Sequence, residues 1–185
     1  MGWLSGWNSR KEIAAHCLAT QENETTRWEM IAHCFVGNNL WTVMQITNKA
    51  DSTVAKLIVL FLLQRFEGGT WGYKDVSEDM GPNEVSCPLK YLEMAPLTET
   101  GGFAFEWRER VKAHWKHRHD ASRFAASLKP GDKFKAFGVE FIFLAFRKNL
   151  VLGPKTDAPA GQVYRIQRCK IEPVAATEPA TVSAL

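Results

Sequence analysis

The most apolar stretch of the chain, KLIVLFLLQRF at residues 56–66, limits the folds that the sequence can adopt. Apolar residues at consecutive positions cover both faces of a strand, so the stretch predicts a central strand in a sheet that is covered on both sides. A buried helix is the main alternative, because the periodicity of so short a run does not separate the two structures. The uninterrupted apolar part, residues 57–63, is far shorter than the roughly 20 residues of a membrane-spanning helix.

The residues before this stretch predict a helix followed by a β-hairpin. Asn8 and Ser9 are typical helix-capping residues, and they precede RKEIAAHCLA, whose apolar residues fall on one helical face. Residues 27–47 predict the hairpin, because GNN at residues 37–39 supplies turn residues that tolerate positive φ. One apolar face is expected on its first strand, and it comprises Trp28, Met30, Ala32, Cys34 and Val36.

The second half of the chain predicts a long helix and then a small β-structure. Trp107, Val111 and Trp115 recur every fourth residue, which predicts a helix over residues 105–127 with one aromatic stripe and a basic remainder. Short β-rich segments between Gly and Pro turns then predict a small SH3-like barrel over residues 128–173.

These segments together predict an α+β protein with four parts. They are an α+β domain of helix, antiparallel hairpin and central strand (residues 1–104), a basic linking helix (105–127), the small barrel (128–173) and a disordered tail (174–185). The N-terminal residues lack a basic region followed by a long apolar stretch, so no secretory signal is expected. The four scattered cysteines are typical of reduced thiols, and we expect a cytoplasmic location.

Charge is distributed unevenly along the chain. Residues 1–104 contain 8 Lys/Arg and 12 Asp/Glu, a net charge of −4, whereas residues 105–173 contain 15 and 7, a net charge of +8. This asymmetry favours an anionic partner for the C-terminal half, although mutual attraction of the two halves explains it equally well. The predicted binding cations are Arg108, Arg110, Lys112, Lys116 and Arg118 on the helix and Lys133, Lys135, Arg147 and Lys148 on the barrel.

A polar segment after the central strand is the best candidate for an active site. Residues 67–88 are expected to form a loop rich in Gly and acidic residues. Its candidate pocket residues are Tyr73, Lys74, Asp75, Glu78 and Cys87, among which a lysine, carboxylates and a thiol offer acid–base or nucleophilic chemistry. The structural alternative is that the aromatic residues plug the core and the lysine pairs with a carboxylate. No complete catalytic set is present, so we do not expect an enzyme.

The cysteines and histidines indicate neither a metal site nor a cofactor. Cys87 precedes Pro88 at the start of a predicted short helix, which would lower the pKa of its thiol, but no histidine lies nearby in sequence to activate it. His33 and Cys34 would point to opposite faces of a strand, so they cannot join His16 and Cys17 around one zinc ion. We therefore expect no bound metal, and the chain contains no phosphate-binding loop or dinucleotide fingerprint.

Several blocks of the sequence resemble a family of uncharacterised proteins encoded by phages, plasmids and other mobile elements of bacteria. The specific part is WGYKDVSEDMGP at residues 71–82 with CPLKYLEMAP at residues 87–96; GNNLW, LLQR, WRERV and GQVYRI add to it. The likeness extends to about Pro173, and no activity comes with the family. It implies a mobile-element context, in which small proteins handle DNA or block host restriction and CRISPR nucleases.

These observations favour a non-enzymatic binding protein of a mobile element, such as an anti-defence factor. Strongly acidic DNA mimics are a common type of inhibitor, but this chain has a net charge of +3. We therefore expect it to dock on a host defence protein or nucleoprotein complex, or to compete for nucleic acid through its basic half. A small enzyme with the pocket named above is the alternative.

Overall fold

The computed structural model describes residues 2–97, 101–157, 159 and 161–174. The chain divides into two units, Met1–Trp115 and Lys116–Leu185. The first unit contains strands β1 (Leu4–Trp7), β2 (Gln21–Glu22), β3 (Thr26–Val36), β4 (Asn39–Asn48), β5 (Val54–Arg65) and β6 (Trp71–Ser77), and helices α1 (Arg10–Leu18) and α2 (Leu89–Met94). Helix α3 (Gly102–Ser127) contains the division between the units. No helix in the described ranges is long and apolar enough to cross a membrane.

A six-stranded antiparallel sheet in the order β1-β6-β5-β4-β3-β2 is the framework of the first unit. Strand β5 lies between β4 and β6, and its side chains enter hydrophobic clusters on both faces of the sheet, which confirms the predicted central strand. On one face Ile58 and Leu60 pack with Trp107 and Val111 of α3. On the other face Val59, Phe61 and Leu63 pack with apolar residues of α1. The N-terminus of α1 is capped by Ser9, one of the two residues predicted to cap it.

The apolar face predicted for the first hairpin strand is wrong, although the β3–β4 hairpin itself is confirmed. The pairing register shifts between Met30 and Ala32, which identifies a β-bulge. One extra residue reverses the alternation of side chains, so Trp28 and Met30 pack on the α1 side, whereas Ala32, Cys34 and Val36 pack on the α3 side. A single strand thereby supplies both cores.

The predicted loop at residues 67–88 is also wrong over its first half, because Trp71–Ser77 form β6. This strand pairs with β5 along its whole length and with β1 at its start. Both faces of β6 contain apolar and polar side chains, so its sequence does not show the apolar–polar alternation that is typical of a strand. Gly72 lies against β1 with no room for a side chain: a Cβ there would overlap the carbonyl oxygen of Leu4 and lie 2.6 Å from Cε2 of Phe66.

We expect Gly72→Ala to lower the free energy of unfolding by about 1–3 kcal/mol, because the added methyl group forces β1 away from β6. Urea denaturation followed by circular dichroism measures the change. Gly2→Ala is the matched control, since a Cβ at that position meets no atom within 4 Å. Equal stability of the two variants would contradict this account of the β1–β6 contact.

The second unit contains two small antiparallel sheets. Its strands are β7 (Lys133–Ala136), β8 (Val139–Ile142), β9 (Ala145–Arg147), β10 (Leu150–Gly153), β11 (Tyr164–Gln167) and β12 (Ile171–Pro173). The sheets have the orders β12-β7-β8 and β11-β10-β9, and side chains from both sheets share one apolar cluster that includes Phe134, Phe141 and Val151. The β-rich character predicted for this part of the chain is confirmed, and the protein as a whole is α+β. The predicted disordered tail lies, from residue 175 onward, outside the described residues.

Candidate functional site

The five residues of the predicted pocket do not meet in one place. Strand alternation sends Tyr73 and Asp75 to the α1 side of the sheet and Lys74 to the opposite side. Tyr73 and Asp75 line a cavity of about 260 Å³, which we call the Asp75 cavity. Lys74 lines a separate cavity of about 680 Å³ with residues of the 80–84 segment. The sheet separates the two cavities, so their polar groups cannot act on one substrate.

Glu78 and Arg108 form a buried ion pair within the first unit. The Nε atom of Arg108 lies 2.5 Å from Oε2 of Glu78, and its Nη2 donates to Oε1 at 2.8 Å. The same carboxylate accepts a hydrogen bond from the backbone N–H of Ile58 at 2.8 Å. Arg108 also donates to the carbonyl oxygens of Leu92 and Ala95 at the C-terminal end of α2. With 5% of its surface exposed, Arg108 cannot contact a partner, so its prediction as a binding residue is wrong.

Cys87 is a core residue and not an activated nucleophile. Its side chain is fully buried in the cluster between the sheet and α3. Burial is the main cause that raises the pKa of the thiol, and Cys34 and Glu78 add to the effect. The predicted lowering of this pKa at the helix start is therefore wrong, because desolvation of the thiolate dominates.

Alkylation rates test this assignment. At pH 8 we expect iodoacetamide to modify Cys87 and Cys17 on the order of 100-fold more slowly than Cys169, because both buried thiols have raised pKa values. Peptide mass spectrometry measures the rates, and protein unfolded in urea, in which the rates should converge, is the control. Fast modification of Cys87 in the folded protein would restore it as a candidate nucleophile.

The other two predicted cations of the first unit are exposed, but both are engaged with groups of the protein. The guanidinium Nη2 of Arg110 donates to the carbonyl oxygen of Pro82 at 2.7 Å, which ties α3 to the segment after β6. Lys112 pairs with Glu109 one helical turn away at 2.7 Å. Both side chains nevertheless stay exposed, and their role in binding remains a prediction.

The remaining six predicted cations lie in the second unit, which is strongly basic. Between Lys116 and Val174 the chain has 12 Lys/Arg and 5 Asp/Glu, a net charge of +7. Lys116 pairs with Asp120 at 2.8 Å, and Lys135 lies 3.8 Å from Glu140. The side chains of the other four are exposed; they are Arg118, Lys133, Arg147 and Lys148.

Arg168, which was not among the predicted binding cations, completes a basic surface on the second unit. Its guanidinium stacks over the ring of Phe146, with Cζ 4.4 Å from the ring centroid, and 38% of the Phe146 surface is exposed. The Nε of Arg168 is buried and has no hydrogen-bond partner among the described residues. The backbone N–H of Arg168 donates to the carbonyl oxygen of Asn149 at 3.2 Å, which holds this segment against the β9–β10 turn.

A cavity of about 430 Å³ lies beside this stack. Its lining is polar and basic; it consists of Arg118, Ser122, Asn149, Leu150, Gln167, Arg168 and Cys169. Arg147 and Lys148 belong to the strand end and turn of the same β9–β10 hairpin. Arg147 follows Phe146 on β9, so strand alternation directs its side chain to the other face of the small sheet. We call the set Arg118, Phe146, Lys148 and Arg168 the basic face.

Comparison with known proteins adds no further identification. No family model matches the chain, and no curated protein and no solved structure matches it either. Within the residues that the structure describes, no cluster of three or more His, Cys, Asp or Glu is placed to hold a metal ion.

Proposed function

We propose that this chain is a non-enzymatic protein that binds single-stranded nucleic acid through the basic face of its second unit. The observation that carries the proposal is the stack of Arg168 on the exposed ring of Phe146, at the edge of a cavity lined by a second arginine. Cations that contact phosphates supply affinity for any nucleic acid. The ring of Phe146 lies between Arg168 and Phe143, whose ring centroid is 4.6 Å away, so we expect unpaired bases to pack on the arginine–aromatic stack and not on the ring alone.

The residue types of the basic face favour a single strand over a duplex. Bases are available for stacking only when they are unpaired, and proteins that bind single strands combine such rings with a positively charged groove. Asn149 and Gln167 beside Arg168 offer amide groups that hydrogen-bond to bases or sugars.

We propose that the protein is encoded by a mobile genetic element and acts in the bacterial cytoplasm. The resemblance of the WGYKD block supports this setting, and an anti-defence factor that competes for nucleic acid fits the charge of the second unit. We also propose that the two three-stranded sheets form an SH3-like barrel. Docking on a host defence protein is the second mode of action that fits an anti-defence factor.

Salt dependence of binding tests the proposal. We expect a fluorescein-labelled 15-nucleotide oligothymidylate to bind, as measured by fluorescence anisotropy, with an affinity that falls at least about tenfold between about 50 and about 200 mM salt. Release of counterions from three or more phosphates causes this loss. An oligonucleotide that does not bind at low salt would contradict the proposal and favour docking on protein.

A further inference from the structure

The Asp75 cavity of the first unit has the composition of a site for a small cation. Three aromatic side chains, Trp28, Phe61 and Tyr73, line it together with Met44. The rings are held in place: Trp28 donates from Nε1 to Oγ1 of Thr26 at 3.1 Å, and the rings of Phe61 and Tyr73 meet edge to face with centroids 5.4 Å apart. The faces of such rings attract positive charge.

Asp75 is the only charged group among the residues that line this cavity. Its carboxylate is half-buried, and the described residues provide it with no hydrogen bond and no ion pair. A carboxylate without a protein partner beside three aromatic rings is a group with which a positively charged ligand can pair.

Besides burial, the negative charge of Asp75 raises the pKa values of the neighbouring Cys17 and Tyr73. Burial raises the pKa of Cys17 to about 12, and the negative charge of Asp75 contributes to that rise. The pKa of Tyr73 is raised by burial first, with contributions from Cys17 and Asp75. Burial is the main cause of both shifts, and the contribution of Asp75 to each one places its negative charge close to the cavity wall.

We propose that the Asp75 cavity binds a small organic cation, an alkylated ammonium group that contacts Trp28, Phe61 and Tyr73 and pairs with the carboxylate of Asp75. The volume of about 260 Å³ accommodates a ligand with a handful of non-hydrogen atoms. This site lies in the first unit and does not depend on the nucleic-acid interface proposed for the second.

Two probes of the same shape separate charge from size. Choline carries a quaternary ammonium, and 3,3-dimethylbutan-1-ol replaces its nitrogen by carbon. We expect choline to shift the NMR signals of the Trp28 indole and the Met44 methyl saturably, with a Kd of about 1 mM or lower. The neutral alcohol should bind at least about tenfold more weakly, because it loses the attraction to the rings and to Asp75. Equal affinities, or no saturable shift with choline up to about 50 mM, would overturn the proposal.

Substitution of the carboxylate provides an independent measurement. Asp75→Asn keeps the shape of the side chain and should weaken choline binding at least about tenfold. Glu67→Gln removes an exposed carboxylate outside the cavity and should leave the affinity unchanged. Circular dichroism shows whether each variant is folded. If Asp75→Asn is unfolded, the proposal is tested by the comparison of choline with the neutral alcohol on the wild-type protein. Unchanged choline affinity in a folded Asp75→Asn variant would overturn the proposal.

Discussion

Replacing Glu78 by alanine should lower the free energy of unfolding by about 3–5 kcal/mol, because the guanidinium of Arg108 remains buried without its counter-ion. The substitution also removes the acceptor for the backbone N–H of Ile58 in the central strand. Since Arg108 binds carbonyl oxygens at the end of α2, the loss should spread from the sheet to that helix. Urea denaturation followed by tryptophan fluorescence measures the change.

An exposed ion pair on the same helix is the matched control. Glu109→Ala breaks the pair with Lys112, both of whose side chains are about half exposed, and should cost less than about 1 kcal/mol. A combined Glu78→Leu and Arg108→Met variant should recover only part of the loss, because it leaves the N–H of Ile58 and the carbonyl oxygens of Leu92 and Ala95 without their partners. If Glu78→Ala and Glu109→Ala had equal effects, the pair would not have the structural role described here.

Reversing the charge of Arg118, Lys148 and Arg168 together to glutamate should lower the affinity for the labelled oligothymidylate at least about 100-fold at about 100 mM salt. Each substitution removes a candidate phosphate contact and adds repulsion, and the change at Arg168 also removes the guanidinium from Phe146. Fluorescence anisotropy measures the affinity. A reduced slope of affinity against salt should accompany the loss, since fewer counterions are released.

A change in net charge alone lowers the affinity for nucleic acid somewhat. The control variant must therefore have the same charge reversal in the first unit. Lys11, Lys56 and Lys90 are exposed in the first unit, and their combined replacement by glutamate changes the net charge by the same amount. We expect this control to keep its affinity within about threefold of the wild type. Similar losses in the two triple variants would show that the binding has no defined location on the second unit.

The elements that the sequence predicted correctly are those with strong local signals. The stretch at residues 56–66 is apolar on both faces because β5 is covered on both faces. The turn at Gly37 and Asn38 determined the β3–β4 hairpin, and Ser9 marked the start of α1. Spacing of the tryptophans in α3 predicted which of its faces packs on the sheet.

The errors arise where tertiary contacts override the local pattern. A bulge after Met30 has no signature in the alternation of residues 28–36, which reads as one uninterrupted apolar face. A cavity lies on each side of β6, and polar residues of the strand line both cavities. Because polar residues therefore occur on both faces, the sequence of β6 is typical of a loop. Its pairing with β1 depends on Gly72, and the sequence does not reveal which strand a glycine faces.

The charged residues show the same limit. Arg108 and Arg110 have the same residue type and lie two positions apart, yet one is buried and the other is exposed. What separates them is Glu78, 30 residues earlier, whose partner the sequence cannot identify. Arg168 was missed for the opposite reason, since only the folded chain brings it onto Phe146.

Mapping of the binding surface by NMR tests the central proposal most directly. Unlabelled oligothymidylate added to ¹⁵N-labelled protein should shift the backbone amides of Phe146, Lys148 and Asn149 and the side-chain Nε–H of Arg168, while the amides of β4 and β5 stay unchanged. Shifts that concentrate in the first unit, or no shifts at low salt, would contradict the proposed interface.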